Sequence, residues 1–531
     1  MKLKSNSLHF EIMPGSSKPS GYIRNSYRED GKIKHQTVSR INGLSLEQLK
    51  MMKAAFEGDV IDKRDIVLTG GREYGAGALL FDLAKKIGLD KIIYSRNEAW
   101  VKDAMAMIIG RIVYQGSKLS LSKAPEISCL WEICGVKDSV IDADKRCYES
   151  MDQLTARQSS IQKKLAAKHL ADGAVILYDM TSSYFEGDYE GSEIVTYGYS
   201  RDKKRGKKQI TVALICTKEG CPVSVEVFSG NTTDCTTVKS KLAEIKDKYA
   251  ISKFVFVGDR GMWTQKNLTD FEDIDSITAL THDAMKKLCE DDNVQLSLFD
   301  EESDVEVVLP EKPSVRYVLR KNPVRGEKER NSRMAIIEKT EEALRKIAIP
   351  KKKTDDKTLA VRAAKIFLKY KSEKYFSWSI VDTTIIFCRK TDIIAHEEKY
   401  DGLYVIRTNV EPEFMNISQV VDAYKSLINA ETAFRNIKTV HLEMRPIYHK
   451  TDERIKAHVF LCMLSYYLLW HMNTALKTFY DENPSYTHML VIEVMKVLQK
   501  VKLSIADIPC YSVAEPTPIQ QKIQNAVLGS C

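Results

Sequence analysis

The chain has 531 residues, of which 44% are hydrophobic and 29% are charged. This composition is typical of a globular protein with two or three domains, and it excludes the fibrous and disordered classes. Basic residues exceed acidic ones by 8 charges, which permits a polyanionic partner without requiring one. The 11 cysteines include no C-x-x-C pair, so we expect reduced thiols in a cytoplasmic protein and neither a disulfide framework nor a zinc ribbon.

No segment predicts a membrane span. The first twenty residues lack the apolar stretch of a secretory signal, and the longest apolar run, Ala457 to Trp470, contains His458. That run is shorter than the roughly 18 residues that a spanning helix needs. We therefore predict a buried helix at this position and no membrane partner.

Residues 1–45 are predicted to form an N-terminal β-hairpin region. Two β-prone runs within residues 21–42 flank the turn sequence Glu29-Asp30-Gly31. The basic side chains of this hairpin are Arg24, Arg28, Lys32, Lys34, His35 and Arg40. A solvated surface and a DNA-binding surface are both open interpretations of that charge.

Residues 46–171 are predicted to form a helical region. Apolar residues recur at helical spacing in the ranges 46–56, 78–87 and 100–114, and more weakly in 153–170. A helical region in front of a catalytic core could bind DNA. Packing alone is an equally good explanation, because no helix-turn-helix signature is present.

From Gly173 the pattern becomes that of strands. The apolar run Ala174 to Tyr178 leads directly to Asp179, which is typical of a buried strand whose carboxyl end reaches a functional site. An isolated Asp of this kind would more simply cap a turn. The next segments predict two antiparallel strands, a helix and a short apolar strand ending in Asp259; their ranges are 209–216, 222–228, 233–249 and 253–259.

The order strand, strand, strand, helix, strand is that of an RNase H-like core. In that fold the first and fourth strands are neighbours. We therefore expect Asp179 and Asp259 to lie close together, although they are far apart in the sequence.

A third carboxylate lies on a predicted helix. Ser418 to Val440 is predicted to form a helix with Ser418 as its N-cap, and one face carries Val420, Tyr424, Leu427, Glu431, Phe434 and Lys438. Glu431 is therefore expected to face the core, where a lone carboxylate costs several kcal/mol. An ion pair with Lys438 or with a distant arginine would explain it as well as a metal ion would.

Together, Asp179, Asp259 and Glu431 predict a metal site. Carboxylate oxygens without nearby Cys or His ligands suit Mg²⁺ or Mn²⁺ and do not suit zinc. Two such ions about 3.5–4 Å apart activate a nucleophile and stabilise the leaving oxygen of a phosphodiester. The implied substrate is a nucleic-acid backbone.

The chain resembles the DDE transposases of bacterial insertion sequences, in the insertion sequence four family. The resemblance lies in the order and spacing of D-x-T at Asp179 to Thr181, VGDRGM at 257–262, DGLYVIRTN at 401–409, and RPIYH at 445–449. The helix carries Tyr424, Leu427, Glu431 and Lys438 at the spacing of the family signature Y-x₂-R-x₃-E-x₆-K. Leu427 replaces the signature arginine, which puts one phosphate contact in doubt.

This resemblance implies that Asp179, Asp259 and Glu431 bind two Mg²⁺ or Mn²⁺ ions. A water and then a 3′-hydroxyl would attack phosphodiesters at the ends of the element. The partners would be double-stranded DNA, as terminal inverted repeats and as target, and a second copy of the chain in the DNA complex. The protein would be cytoplasmic and associated with the nucleoid when bound to DNA.

The resemblance also implies DNA contacts around the acidic residues. Tyr424 and Lys438 would contact phosphate, and Lys425 or Arg435 could replace the missing arginine. Thr181 and Arg260 flank the acids closely enough to steer phosphate. For Tyr424 a packed core aromatic is an equal alternative, and for Thr181 and Arg260 a turn threonine and a solvated arginine are the simpler interpretations.

The strongest basic run is the segment 201–208 between two predicted core strands. Its cations are Arg201, Lys203, Lys204, Arg205, Lys207 and Lys208. A basic loop beside the acids suits phosphate binding, with a solvated loop as the alternative. Trp263 could stack on an extruded base, although a packed or surface tryptophan is the simpler interpretation.

The predicted fold is α/β: an RNase H-like mixed sheet with flanking helices, interrupted by a β-rich insertion. The long segment between Asp259 and Glu431 requires such an insertion, and residues 401–409 are expected to return as the fifth core strand. The expected parts are 1–45, 46–171, 172–280 (core), 281–400 (insertion), 401–480 (core) and a helical tail, 481–531. The predicted function is cut-and-paste DNA transposition; the rivals are a catalytically silent DNA-binding protein and a metal-dependent nuclease.

Overall fold

The computed structural model describes residues 7–13, 19–58, 66–138, 140–202, 204, 206–262, 274–290, 304–348, 354–505 and 508–529. The chain forms two compact units. The first contains Met1–Ser150 and His471–Cys531, and the second contains Met151–Trp470. Across the described ranges, every helix is too short or too polar to cross a membrane.

The first unit begins with a three-stranded antiparallel sheet. Its strands are β1 (Ser7–Met13), β2 (Ser20–Glu29) and β3 (Lys32–Ile41), in the order β1-β2-β3. The predicted hairpin is thus present, with β1 added at its side. Asp30 and Gly31 form the tight turn with positive φ angles of 52° and 75°. Helix α1 (Leu46–Phe56) follows and is capped by Ser45 and Gln48 in a reciprocal capping box.

The remainder of the first unit is mostly helical but contains a second sheet. Its helices are α2 (Gly75–Lys86), α3 (Leu89–Ile93), α4 (Ala99–Val113), α5 (Lys118–Ser122) and α6 (Leu130–Ile133). Strand β4 (Ile66–Glu73) lies within the segment that we expected to be entirely helical, so that expectation is wrong there.

Strand β4 pairs with a strand from the far end of the chain. The predicted helical tail contains two strands, β15 (Gln499–Ile505) and β16 (Ile508–Val513), which form a sheet in the order β16-β15-β4. The prediction of a purely helical tail is therefore wrong as well. The helices of this tail are α16 (Lys477–Glu482), α17 (His488–Lys496) and α18 (Pro518–Leu528).

An eight-stranded mixed sheet organises the second unit, in the order β10-β11-β14-β9-β8-β5-β6-β7. The strands are β5 (Ala174–Tyr184), β6 (Gln209–Thr217), β7 (Pro222–Ser229), β8 (Phe254–Gly258), β9 (Ser276–Ala279), β10 (Val305–Val308), β11 (Arg316–Lys321) and β14 (Leu403–Thr408). As the sequence predicts, β5 lies directly beside β8; the two strands are parallel. Every residue of β6 and of β8 is buried. Burial on both faces explains why β8 has no polar side chain, whereas β6 keeps Gln209, Thr211 and Thr217 within an otherwise apolar run.

Two expectations about this sheet are corrected. Strand β5 does not end at Asp179 but continues to Tyr184, with Asp179 opposite Leu214 of β6. Residues 401–409 do join the sheet as β14, but β9 lies between β14 and β8, and β14 is antiparallel to β9. The four-residue strand β9 was too short for its apolar pattern to be recognised in the sequence.

The expected β-rich insertion is mainly helical in its described residues. Its helices are α9 (His282–Glu290), α10 (Pro323–Ala348), α11 (Asp356–Tyr370) and α12 (Thr391–Glu398). The hairpin β12 (Phe376–Val381) and β13 (Thr384–Arg389) forms its own two-stranded sheet, whereas β10 and β11 belong to the large sheet. A separate hydrophobic core under α10 and α11 includes Ile337, Leu344 and Phe367. Most of the acidic stretch near residues 290–304 lies outside the described residues.

The remaining helices of the second unit flank the sheet. They are α7 (Glu149–His169), α8 (Asp234–Ala243), α13 (Ile417–Lys425), α14 (Leu427–Arg435) and α15 (Asp452–Ala475), with π-helical turns at Glu244–Lys248 and Asn436–Val440. Another π-helical turn, Ala143–Tyr148, belongs to the first unit. The predicted helix 418–440 is thus divided at Ser426, and its N-cap is Asn416 in a capping box with Gln419, not Ser418. The apolar run within α15 is buried, as predicted.

A buried ion pair joins α10 to the segment just before β14. Arg333 of α10 donates to both carboxylate oxygens of Asp401, one of them at 2.8 Å, just before β14. The two side chains are only 8% and 11% exposed. Arg333 has a second acid, Glu398, at 3.8 Å, whereas the buried Asp401 has no other cation in ion-pair contact among the described residues. Asp401 therefore depends on Arg333 for the compensation of its charge.

Arg333→Ala should therefore lower the free energy of unfolding by about 3–5 kcal/mol, the cost of leaving one partner of a buried pair, here Asp401, uncompensated. Urea-induced unfolding of the full chain measures it. Lys346→Ala, which removes an exposed Glu342 pair on the same helix, is the matched control and should change little. Equal effects of the two substitutions would contradict the role given to the buried pair.

Candidate active site

The parallel pairing of β5 and β8 brings two aspartates to adjacent positions. The last pair in the register is Tyr178 with Gly258, so Asp179 and Asp259 are the next residues on the two strands. Asp179 is partly buried within the continuing β5, whereas Asp259 is exposed just beyond the end of β8. Each carboxylate accepts a hydrogen bond from the next backbone N–H, at 2.8 Å from Met180 and 2.7 Å from Arg260.

The face of β5 on which Asp179 lies is defined by its neighbours. Tyr178 donates a hydrogen bond to Thr237 of α8 at 2.8 Å, so Tyr178 and Met180 point to the α8 side of the sheet. Since side chains alternate along a strand, Asp179 and Thr181 point to the opposite side, where α14 packs against β5.

Glu431 lies on α14 and is exposed. The expectation that it faces the core is wrong, although the rest of the predicted face is kept: Val420, Leu427, Phe434 and Lys438 are buried and Tyr424 is half-buried. Among the described residues Glu431 has no ion-pair partner, and Lys438 pairs with Asp202 instead. The ion-pair explanations of Glu431 therefore find no support in the described parts of the chain.

The three carboxylates act on one another electrostatically. Burial, together with the smaller effect of the negative charges of Glu431 and Asp259, raises the pKa of Asp179 to about 7, against the opposing effects of the Met180 N–H and Arg201. A carboxylate whose pKa is raised by two neighbouring acids is an incompletely compensated charge. Such a cluster is stabilised by a cation placed among the acids.

Contacts at the β6–β7 turn fix the position of α14 over the sheet. The Asn429 side chain donates to the Lys218 carbonyl at 2.8 Å. Gly220 adopts a φ of 86°, and a Cβ at this position would lie 3.0 Å from the Asn429 Cβ. The absence of a side chain at Gly220 thus allows the close approach that holds the Glu431 helix beside β5.

Lys438 lies at the centre of a polar network beside Asp179. Its Nζ donates to the Thr181 hydroxyl at 2.9 Å and to Asp202 at 2.8 Å, and the second Asp202 oxygen accepts from Arg445 at 2.9 Å. The Lys438 side chain is only 9% exposed, and burial lowers its pKa. Asp202, the only acid in the basic run, was not predicted to matter; it binds both Lys438 and Arg445 beside Thr181.

The other predicted site residues near the three carboxylates differ in how far they are exposed to solvent. Tyr424 is partly buried near Asp259; burial and that negative charge raise its pKa to about 12. Arg260, Lys425 and Arg435 are exposed. Leu427, which stands where the family signature has arginine, is buried at 7% exposure and so serves packing.

The basic segment 201–208 connects toward β6. Lys204 and Lys207 are exposed, Lys208 is half-buried, and Arg201 is close enough for its charge to lower the pKa of Asp179. Lys207 forms an ion pair with Glu186 at 2.5 Å. Lys203, Arg205 and Trp263 lie outside the described residues.

A cavity of about 440 Å³ adjoins Lys438 and was not predicted. It is lined by aromatic and basic side chains, with the Arg445 guanidinium 4.6 Å from the ring centre of Tyr184 and the Lys450 ammonium 4.1 Å from that of Tyr189. The sequence RPIYH at 445–449 could have indicated this cavity, because it places a cation and an aromatic side chain shortly after Lys438.

The described residues fit a divalent metal ion. Three carboxylates converge without a compensating cation in ion-pair contact among the described residues, and one oxygen each of Asp179 and Asp259 accepts no hydrogen bond from them. Oxygen donors of this kind suit Mg²⁺ or Mn²⁺. Such an arrangement of acids is suited to metal-dependent chemistry.

Comparison with known families agrees with this class of site. A family model described as a transposase DDE domain matches residues 171–468, which is more than half of the chain. The chain therefore belongs to the transposase DDE domain family. No curated protein matches it.

The raised pKa of Asp179 predicts a pH-dependent stability. A carboxyl group with a raised folded-state pKa contributes stability that is fully present below its ordinary value of 3.8 and is lost as the pH rises through about 7. Without metal, Asp179→Asn should therefore raise the free energy of unfolding by about 1–3 kcal/mol at pH 8 and by nothing near pH 4. Thermal unfolding in a chelator at both pH values measures this.

Asp172→Asn is the control with opposite sign. Hydrogen bonds from the N–H of Lys253 and from Ser252 lower the pKa of Asp172, so its contribution is present above 3.8 and lost as the pH falls. This variant should be less stable than the wild type at pH 8. A destabilised Asp179→Asn protein at pH 8 without metal would contradict the charge repulsion described above.

Proposed function

We propose that the chain is a DNA transposase that binds the ends of an insertion sequence and catalyses metal-dependent cleavage and strand transfer. One observation carries this proposal: Asp179 and Asp259 lie on neighbouring parallel strands, with Glu431 near enough to raise the pKa of Asp179. Membership of the transposase DDE domain family supports the same chemistry.

We infer further that the sheet contains an RNase H-like core. The order β7-β6-β5-β8-β9, with three antiparallel strands followed by two parallel ones, supports this inference. The spacing of Tyr424, Glu431 and Lys438 favours the insertion sequence four subtype. The mainly helical segment between β11 and β14 would then be the insertion into that core.

Asp179, Asp259 and Glu431 would hold Mg²⁺ or Mn²⁺, two ions in the complete site, and these ions would supply nucleophile activation and charge stabilisation. Lys438, close to Thr181, would bind the phosphate next to the scissile bond. Tyr424 and Arg260, beside Asp259, would contact the DNA on the other side of the acids.

Exposed cations around the acids would bind the DNA backbone. The described ones are Lys204, Lys207, Lys425 and Arg435, to which Arg201 and Lys208 add charge at the edge of the site. Phosphate binding by such side chains is independent of base sequence and decreases with salt. Joining two element ends to one target requires two sites, so we propose a homodimer in the DNA complex, cytoplasmic and associated with the nucleoid.

A strand-transfer assay tests the proposal. Purified protein, DNA from the region flanking its gene, a plasmid target and Mg²⁺ should give joined products. Asp259→Ala and Glu431→Gln should reduce joining by at least roughly 10²–10³-fold, the effect expected from removing one strong electrostatic interaction in an active site. A chelator should abolish joining in the wild type. Glu342→Gln, an exposed acid on α10, is the charge-matched control and should join DNA normally.

The rival functions give different results. Metal-dependent cleavage without joined products would identify a nuclease. DNA binding by folded protein with no metal-dependent chemistry would leave a silent DNA-binding protein on a transposase scaffold. Isothermal titration calorimetry with Mg²⁺ shows whether the Asp259 and Glu431 variants are defective in metal binding. A separate binding assay with the duplex shows whether they are defective in DNA binding.

Asp202 is expected to compete with DNA phosphate. Its carboxylate binds Lys438 and Arg445 as a phosphate would, so Asp202→Asn should strengthen binding of a short duplex about 3- to 10-fold at about 0.1 M salt. Fluorescence anisotropy at several salt concentrations measures the affinity. Glu190→Gln, an exposed acid in the same β5–β6 connection, is the control. Weaker binding by the Asp202 variant would mean that Asp202 only orders the two cations.

A further inference from the structure

The N-terminal sheet has one covered face and one charged face. On the covered face Phe10 and Leu49 meet at Gly21, where an added Cβ would lie 2.6 Å from the Phe10 ring and 2.8 Å from Leu49. Helix α1 therefore packs directly on this side of β1 and β2. The side chains of alternate residues must point away from α1.

That second face carries arginine, histidine and tyrosine. Tyr22 has the Arg24 and Arg40 guanidinium groups each 5.3 Å from its ring centre, one from its own strand and one from β3. Next along the strands, Ser26 lies between His9 and His35, with oxygen–nitrogen distances of 3.4 and 2.8 Å. We call this set, together with Arg28, the arginine face.

Charge on the arginine face is strongly unbalanced. Glu11 is its one acid among the described residues, and it forms an ion pair with Arg24 at 2.7 Å. Arg28, His35 and Arg40 are exposed, and no ion pair joins Arg28 or Arg40 to a described acid. Two exposed guanidinium groups are thus available to bind an anion.

The spacing of these groups fits a DNA groove. Arg28 lies near the β2–β3 turn, whereas Arg40 is opposite Tyr22 at the other end of the ribbon. At about 3.4 Å per residue the two positions are roughly 20 Å apart along the strands. Among the described residues β1 flanks β2 only as far as Ser26, so the turn end of the β2–β3 hairpin, with Arg28, is a two-stranded ribbon. Such a ribbon enters a major groove about 12 Å wide, which leaves Arg40 near the rim of the groove, within reach of phosphates.

We propose that the arginine face binds the major groove of double-stranded DNA and is the surface that recognises the element end. This inference rests on the proposed function for the identity of the DNA. Arg28 and Arg40 contact phosphates across the groove, and Tyr22 holds the Arg40 guanidinium flat so that its donors remain available. The exposed side chains between them, His35 among them, lie toward the base edges.

Binding of the full-length protein to a labelled duplex from the DNA flanking its gene tests the proposal. Arg28→Ala/Arg40→Ala should weaken binding at least tenfold at about 0.1 M salt and reduce the slope of log K against log salt by about 1.8, or about 0.9 for each phosphate that is no longer neutralised. Lys50→Ala/Lys53→Ala removes the same charge from α1, on the other side of the sheet, and should change both quantities much less.

A lysine variant distinguishes charge from geometry. Arg28→Lys/Arg40→Lys keeps the charge and should recover most of the salt dependence, but not the preference for the flanking duplex over a scrambled duplex of equal length. Unchanged affinity and slope in the alanine variant would overturn the proposal. Circular dichroism on each variant confirms that the sheet has folded.

The outcome can be separated from that of the proposed function. If the wild type joins DNA but the alanine variant binds the flanking duplex normally, the arginine face is not the recognition surface and transposition stands. If the wild type gives no joined products but the alanine variant loses binding, the surface is correct and the catalytic proposal fails.

Discussion

The parallel pairing of β5 with β8 is the constraint on which the candidate site depends. It places Asp179 and Asp259 side by side although many residues separate them in the sequence, and it does so at the centre of the large sheet, where β8 is entirely buried. Because β5 continues for five residues beyond Asp179, that carboxylate is held by a paired backbone on both sides. The backbone of Asp179 is therefore fixed within a strand, whereas Asp259 follows the end of β8. Of the two carboxylates, the position of Asp179 is the more tightly constrained.

The helix layer adds the third acid by a different means. The division at Ser426 separates α13, which packs against β8 and β9, from α14, which packs against β5. The Gly220 turn fixes α14 through Asn429, so Glu431 is held beside the sheet without being buried. The π-helical turn after Arg435 then carries Lys438 back to Thr181. The acid Glu431 and the cation Lys438 thus both approach β5 from one helical segment.

Local hydrophobic patterns in the sequence were sufficient to predict many of the strands and helices around the site. The start of β5, the strand β8 and the buried α15 were predictable because burial on all sides leaves a nearly continuous hydrophobic sequence. Pairings between segments distant in sequence were not predictable. Strand β4 contains Gly70 and Gly71, which weaken its strand pattern, and its partner β15 comes from the opposite end of the chain. The exposed position of Glu431 was missed because the other residues of its helical face are buried or half-buried, and a helical wheel cannot show where one position on such a face is open to solvent. Asp202 was missed because its partners, Lys438 and Arg445, are distant in the sequence.

The pairing of β4 with β15 also affects how the protein is made. Val67 and Ser504 are register partners, so β4 leaves the ribosome long before the strand that completes its sheet. Until then β4 presents unpaired backbone groups, and pairing over such a distance in sequence is slow and exposes the chain to association with other copies. The second unit, Met151–Trp470, is contiguous in sequence and has no such delay. During synthesis the acidic site can therefore form before the first unit is complete, which makes the β4–β15 sheet the last part of the nascent protein to mature.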